Sequence, residues 1–332
     1  MFARHKLGGG EYIVEWIREN HYIAINWDDS PSTDREEYGS DGRSRAYQEI
    51  GRMNRVASDE HPTVVGAHYG NKVNGAEDRM VLGRVDPDAD VHIIHYEDDE
   101  QPPAVYESER DARKAGVPDA HEQAGDDDLD GEWVYKALPL IGCEDYNEPV
   151  EVSFVNYPIL SALRPRYHSF CEWHVAKHHL RAIDAGASSF RDVEGDIDEP
   201  SDLLAPSQLE VVCNQYLRQS SEYTGYKQLL SVGRTLRDVD IVGQTEEGRL
   251  FAQVTKDTGS NLQDKADALG TYNRPETSNL VLFGPRRESL TLPDGVMYTP
   301  LDEVVDAVDN NSPEFLTTMY DLPEPDEFLS LL

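Results

Sequence analysis

Val239-Asp240-Ile241-Val242-Gly243, Gln244-Thr245-Glu246-Glu247-Gly248-Arg249 and Leu250-Phe251-Ala252-Gln253-Val254-Thr255 follow one another without a break. The first run is an apolar strand carrying a carboxylate. The second is a polar turn containing Gly248, and the third is an apolar strand with an amide inside it, so the whole reads as a hairpin. Side chains alternate with period two along a strand. Phe251, Gln253 and Thr255 therefore share one face, Ala252 and Val254 the other, and Asp240 shares a face with Val242. Antiparallel pairing then sets Asp240 beside Gln253. A carboxylate, an amide carbonyl and water suit Mg²⁺ (or Mn²⁺), which prefers oxygen ligands and retains water. Glu210, in the middle of the helix before these strands, supplies a third oxygen. Such a metal site activates water and neutralises charge on a phosphate under attack. The plainer reading is that Asp240 only starts a turn or holds a backbone.

Outward from the hairpin, Pro206-Ser207 opens a helix that runs through Leu217. Strands follow at Gln228–Val232, Val239–Val242 and Leu250–Thr255, then a helix over Asn261–Leu269. Asn279–Phe283 and Val296–Tyr298 read as strands, and Thr299-Pro300-Leu301-Asp302 starts a helix with a hydroxyl cap and Pro at its first position. The order α-β-β-β-α-β-β-α predicts an α/β domain over 206–332 with a mixed central sheet. Asp238 reads as a solvated neighbour of the site or a second acid. Arg234 and Arg237 either touch phosphate or pair with nearby acids.

Asp and Glu number 64 against 30 Lys and Arg in 332 residues, a net charge of −34, and only eight of the basic residues are Lys. The acid is spread along the chain and 38% of residues are hydrophobic, which argues against an acidic tail and for a folded acidic surface. Such a surface resembles that of haloarchaeal proteins. In molar salt the Debye length falls to about 3 Å. Counterion release then contributes little to phosphate binding, so the acidic balance does not exclude DNA as partner. Cys143, Cys171 and Cys213 are far apart and odd in number, which points to a reducing cytoplasm. No apolar run approaches a membrane span and no signal peptide is present, so a soluble, cytoplasmic protein with no membrane partner is expected.

The first half has another rhythm. Glu11–Asn20 spaces its apolar residues as a helix, and Tyr22–Trp27 follows as a strand. A polar loop spans 28–44 and Arg45–Ala57 reads as an amphipathic helix. Strands are expected at Thr63–His68, Arg79–Val85, Val91–Tyr96, Trp133–Leu138 and Val150–Val155. Residues 97–131, with the Asp126-Asp127-Asp128 run, read as an acidic surface insertion. A short helix and many short strands predict a small β-barrel for 1–157. Leu160–Ile183 reads as a helix and 184–205 as an acidic linker, so 158–205 joins the two domains. His168, Cys171, His174 and His178 follow helical spacing and read as a wet helix face rather than zinc ligands. Gly8-Gly9-Gly10 lacks the following Lys-Ser/Thr of a phosphate loop and reads as a flexible N-terminal segment.

On Asp240-Ile-Val-Gly, Gln253 and the order of elements, residues 206–309 resemble the PD-(D/E)XK nuclease superfamily, nearest its Mrr-type restriction endonuclease branch. The resemblance implies a restriction-endonuclease-like fold, DNA as substrate and Mg²⁺ held by Asp240, Gln253 and Glu210. The family's Lys falls on 255, where this chain has Thr255. Lys256, rotated inward by a bulge, or Lys265 on the next helix would have to replace it; otherwise the site is inactive. Trp16 on a helix, Ile23-Ala-Ile-Asn-Trp27 and Met80–Val85 resemble PUA-like domains of the EVE and YTH kind. That likeness implies a small barrel holding a flipped, modified base by stacking, with Trp27, Tyr22 and Tyr69 lining the pocket. The plainer role for Trp16 and Trp27 is core packing. Together the two resemblances imply a DNA-selecting domain joined to a metal-dependent endonuclease, with a homodimer or a partner subunit left open. The alternatives are a catalytically inactive nuclease-fold module that binds nucleic acid or protein, and an RNA-binding housekeeping protein.

Overall fold

A computed structural model of the protein describes residues 1–5, 10–39, 44–69, 79–97, 102–120, 132–154, 156–165, 169–192, 200–230, 232, 236, 238–274, 277–286 and 290–322. Two compact units emerge, one of Met1–Ser188, rejoined by the chain at Leu322, and one of Ser189–Asp321. Both are mixed α+β. Among the described residues no helix is long and apolar enough to cross a membrane.

The first unit runs β1 (Phe2–His5), α1 (Gly10–Glu19), β2 (Tyr22–Ile25), α2 (Arg45–Ala57), β3 (Thr63–Tyr69), β4 (Arg79–Val85), β5 (His92–Glu97) and β6 (Ala104–Tyr106). It continues through α3 (Glu109–Ala115), β7 (Glu132–Pro139), β8 (Val150–Ser153), α4 (Pro158–Leu163), β9 (Phe170–Cys171) and α5 (Lys177–Asp184). One sheet has the order β8-β4-β3-β1-β9, with β1 parallel to β3 and the remaining pairs antiparallel. The other, β2-β7-β5-β6, is antiparallel throughout. Among the described residues the two sheets do not close into the small barrel expected from the sequence. β1 is flanked by β3 and β9, so β2 meets it through the His5 side chain and not as a neighbouring strand. The His5 Nε2 accepts the Ala24 N–H of edge strand β2 at 2.9 Å, the group that a neighbouring strand would otherwise take, while Nδ1 lies 3.2 Å from the His68 carbonyl. An imidazole thus bridges the sheets where a ladder would run.

Three further expectations are corrected. The segment 97–131 is not wholly a surface insertion: it contains β6 and α3, and Ala112 and Val117 pack with Ile93 and Val134 in a buried cluster. Ser108 caps α3 through the Asp111 N–H, and Gly116, at φ 85°, ends it. Asp126-Asp127-Asp128 lie outside the described residues. Leu160–Ile183 is not one helix, because the chain leaves α4 at Leu163, adds β9 to β1 and re-enters a helix only at α5. Cys171 therefore sits in a strand, off any helical face shared with His174 and His178, and His168 lies outside the described residues.

Ser44 caps α2 through the Tyr47 N–H, and Ile50, Met53 and Val56 bury one face of that helix with Val65, Ala67 and Val81 of the first sheet. Arg84 forks onto Asp184, with Nε 2.9 Å from Oδ1 and Nη2 2.6 Å from Oδ2, and so pins the end of α5 to β4. His5 is buried, and burial pushes its pKa down to about 3, so it is neutral in the folded protein. The unfolded chain binds that proton below an ordinary pKa of about 6.5. Stability from this group is therefore fully present above pH ~6.5 and is lost as pH falls toward ~3. His5→Leu orphans the buried Ala24 N–H and removes the ring contact to the His68 carbonyl. Denaturation titrations should show a loss of about 2–3 kcal/mol at pH 7 and a weaker acid dependence than the parent.

The second unit runs α6 (Pro206–Gln219), β10 (Lys227–Gln228), β11 (Ile241–Thr245), β12 (Gly248–Val254), α7 (Ser260–Gly270), β13 (Thr277–Gly284), β14 (Val296–Pro300), α8 (Leu301–Asn311) and α9 (Pro313–Tyr320). The sheet order is β10-β11-β12-β13-β14, antiparallel up to β12 and parallel beyond it. The connection from β12 through α7 to β13 makes the parallel pair, as such a pair requires. Leu262, Ala266 and Leu269 of α7 pack on Val242, Leu280 and Leu282. Tyr216 of α6 meets Phe283 edge-on. Thr299 does not cap α8. It lies in β14, and Pro300, which precedes the first helical residue, offers no side-chain acceptor. The expected strand Gln228–Val232 is reduced to β10.

Candidate functional site

Ile241 pairs with Ala252, and Thr245 with Gly248. Gly248 sits at φ 133°, which favours glycine, and the Thr245 hydroxyl accepts the Glu247 N–H, so the turn is locked from both sides. Continuing that register one step sets Asp240 opposite Gln253, as the hairpin reading expects. Gln253 Nε2 donates to Asp240 Oδ2 at 2.6 Å, and the Val254 backbone N–H donates to the same oxygen at 2.9 Å. The carboxylate therefore stands where a strand carbonyl would stand, just before β11 begins. Both side chains are only 5% exposed. Gln253 Oε1 is buried and, among the described residues, has no hydrogen-bond partner. An unsatisfied buried acceptor costs about 1–3 kcal/mol. Turning the amide over would only set Oε1 against the carboxylate.

Glu210 and Cys213 lie three residues apart on α6, hence on one face. Burial, followed by the charges of Asp240 and Glu210, pushes the Cys213 thiol well above its ordinary pKa. A buried thiol thus lies within the electrostatic reach of both Asp240 and Glu210. The sequence reading missed Cys213, although its spacing from Glu210 carried that signal. Among the described residues no group of three or more His, Cys, Asp or Glu side chains is assembled that could hold a metal ion. The oxygens at hand are two, Asp240 and Gln253 Oε1. A carboxylate and an amide carbonyl are donor types that a hard divalent cation accepts, and here both are almost fully buried.

The lysines are placed otherwise than the resemblance requires. Thr255 is buried, its N–H donates to the Phe283 carbonyl at 3.0 Å, and its hydroxyl accepts the Asp257 N–H. The ladder thus continues through 255 without the bulge that would turn Lys256 inward. Lys256 Nζ instead donates to the Asp202 carbonyl at 3.3 Å. Although the residue is open to solvent, desolvation around its amine lowers the ammonium pKa, with Asp202 opposing. Lys265 Nζ lies 3.9 Å from Asp238 Oδ1, which engages it two residues short of Asp240. Asp238 itself takes a left-handed backbone, φ 58°. Arg234 and Arg237 lie outside the described residues.

In the first unit Trp27 and Tyr69 pack against one core cluster, and Tyr69 and Tyr22 against a second. Trp27 packs on the α2 core cluster and donates from Nε1 to the buried Glu49 at 3.2 Å. Tyr22 stacks on Trp16 at 6.2 Å and bonds His92 through its hydroxyl. Tyr69 stacks on His5 at 4.2 Å, and its hydroxyl donates to the Tyr22 carbonyl. Burial raises the pKa of both tyrosines. A surface cleft of about 780 Å³ is bordered by Thr33, Asp90, Arg110 and Arg113, and includes none of the three aromatics.

No protein-family model, curated protein or solved structure matches the chain.

Proposed function

We propose that the second unit is a Mg²⁺- or Mn²⁺-dependent DNA endonuclease of restriction type, and that the first unit selects the DNA, by a modified base in the reading that follows its PUA-like resemblance. The reading places the protein in a salt-rich cytoplasm. One observation carries it: Asp240 and Gln253 meet across β11 and β12, and the amide oxygen of Gln253 is left buried and unsatisfied beside a carboxylate. The order of elements and the mixed sheet of the second unit agree with the nuclease resemblance. In this reading Asp240 and Gln253 would hold the ion, with Glu210 of α6 as the third oxygen ligand. The ion would supply Lewis acidity and a more acidic bound water. The Val254 N–H fixes the carboxylate so that its geometry does not depend on the ion. A lysine that neutralises the developing phosphate charge is worth a few kcal/mol, and neither Lys256 nor Lys265 is engaged at Asp240.

That last point favours a second reading, a nuclease-fold module without catalysis that binds nucleic acid or protein. Plasmid cleavage in about 2 M KCl, where screening is nearly complete, separates them. Metal-dependent cutting by the parent and none by Asp240→Ala supports the enzyme. Binding without cutting under Mg²⁺ and Mn²⁺ supports the module.

A further inference from the structure

We infer that the first unit presents a basic rim, formed by α2, the outer edge of β9 and α5, that contacts the phosphate backbone of duplex DNA. The chain carries 64 acidic against 30 basic residues, so a surface with the opposite balance stands out. In α2 the basic residues are Arg45, Arg52 and Arg55, and the only acid, Glu49, is fully buried beneath them. Arg45 and Arg55 are exposed and Arg52 is half-buried. In α5 Lys177 and Arg181, one turn apart, are exposed, and the only acid, Asp184, is buried and forked by Arg84. Lys177 and Arg181 have no side-chain partner among the described residues.

These helices lie on opposite faces of the first sheet, α2 over Val65, Ala67 and Val81 and α5 on the side of Arg84, and contacts past edge strand β9 link them. Arg52 Nη1 donates to the Phe170 carbonyl of β9 at 3.3 Å, and Arg55 reaches Glu172 at 3.2 Å. The other oxygen of Glu172 lies 2.8 Å from His174 Nε2, and His174 opens the turn leading into α5. A chain of contacts thus runs from Arg55 through Glu172 to His174, and Glu172, the exposed acid between them, is paired twice, while exposed Asp59 and Glu60 follow the end of α2. Both acids that would oppose a phosphate on these helices have been withdrawn into the core, where Glu49 is held by Arg45, Trp27 and the Ser169 N–H. Arginine suits phosphate through its forked, charge-assisted hydrogen bonds, a directional contact that does not depend on counterion release alone.

The inference rests on the DNA-binding part of the function proposed above, but not on the metal site. The test is fluorescence anisotropy of a labelled DNA duplex against KCl, over the range in which circular dichroism of each protein stays native. The parent is compared with Arg52→Gln/Arg55→Gln/Lys177→Gln/Arg181→Gln, which spares Arg45 because it neutralises buried Glu49. A control, Arg191→Gln/Arg286→Gln, removes paired positive charge elsewhere. The quadruple variant should bind at least tenfold more weakly at the lowest salt, and its slope of log K against log[KCl] should be shallower by roughly 0.9 for each phosphate that is no longer neutralised. The control should match the parent in slope. An unchanged slope in the quadruple variant, an equal loss in the control, no duplex binding by the parent, or preference for an RNA duplex of the same sequence would each overturn the inference. Cleavage retained with binding unchanged in the variant sinks this inference alone. Binding lost in the variant with no cleavage by the parent sinks only the enzyme.

Discussion

Replacing Gln253 with glutamate is expected to destabilise the metal-free protein by about 3–5 kcal/mol, the cost typical of an uncompensated buried charge, and to make its stability depend on divalent cation. Nε2 of Gln253 now donates to Asp240 at 2.6 Å, with both residues almost fully buried. A glutamate there sets two carboxylates face to face, and one of them must take a proton or a cation. The proton is the first remedy. The pair then titrates above the ordinary carboxylate range, so the folded variant holds a proton that the unfolded chain has released. Its stability relative to the parent falls as pH rises above about 4. The cation is the second remedy, and it bears on function. Mg²⁺ or Mn²⁺ at a hundred times its dissociation constant would return about 2.7 kcal/mol. Thermal unfolding with and without Mn²⁺ at pH 7 reads both effects. A variant that is destabilised and gains no more from Mn²⁺ than the parent does would show that the oxygens cannot close on an ion, and the endonuclease reading would fall with them.

Lys136→Met should raise stability on the order of 3 kcal/mol at pH 7, and the gain should shrink as pH approaches about 10.5. Lys136 is fully buried in β7. Its amine donates to the Trp27 carbonyl at 2.9 Å and lies 4.9 Å from the Tyr38 ring centroid. Burial lowers its pKa to about 7, against the pull of Asp29, Asp28, Asp119 and Glu109. Between that value and the ordinary 10.5 the unfolded lysine keeps a proton that the folded one gives up. Folding is therefore penalised by about 1.4 kcal/mol per pH unit below 10.5, until the penalty levels off near 7. Methionine fills a similar volume without the charge, at the cost of one hydrogen bond to the Trp27 carbonyl, about 1 kcal/mol. Urea titrations of both proteins across pH 7–10.5 give the difference. A variant no more stable at neutral pH, or a gap that stays constant with pH, would mean that the amine is solvated in a way its surroundings do not show.

The second unit is legible in the sequence because its apolar runs are bounded by turn residues and carry one period each. The pairing of Asp240 with Gln253 follows from strand register alone. The fate of the lysines does not, because whether β12 bulges at 254–255 depends on the Phe283 carbonyl that takes the Thr255 N–H, an interaction nearly thirty positions away. In the first unit, Phe2-Ala3-Arg4-His5 is too short to show alternation, so β1 is hidden, and with it the imidazole that links β2 to the first sheet. The acidic stretch conceals α3 because, among the described residues from 109 to 120, only Ala112 and Val117 are buried and apolar, too few to set a helical period. Helical spacing over Leu160–Ile183 misleads in the opposite sense. Trp173, Ala176, Leu180 and Ile183 are buried from several short pieces, and burial alone does not say that they share a helix.

Ser189 and Asp321, the first and last residues of the second unit, bridge each other as antiparallel neighbours, and the Ser189 hydroxyl donates to the Tyr320 carbonyl at 3.2 Å. A segment whose two ends already touch needs no slack to be transplanted. The stretch of gene encoding 189–321 can be lifted out and set into a surface turn of an unrelated host, which would present a fused cassette without being pried open, and the hairpin that carries Asp240 could be assayed there apart from everything that precedes it.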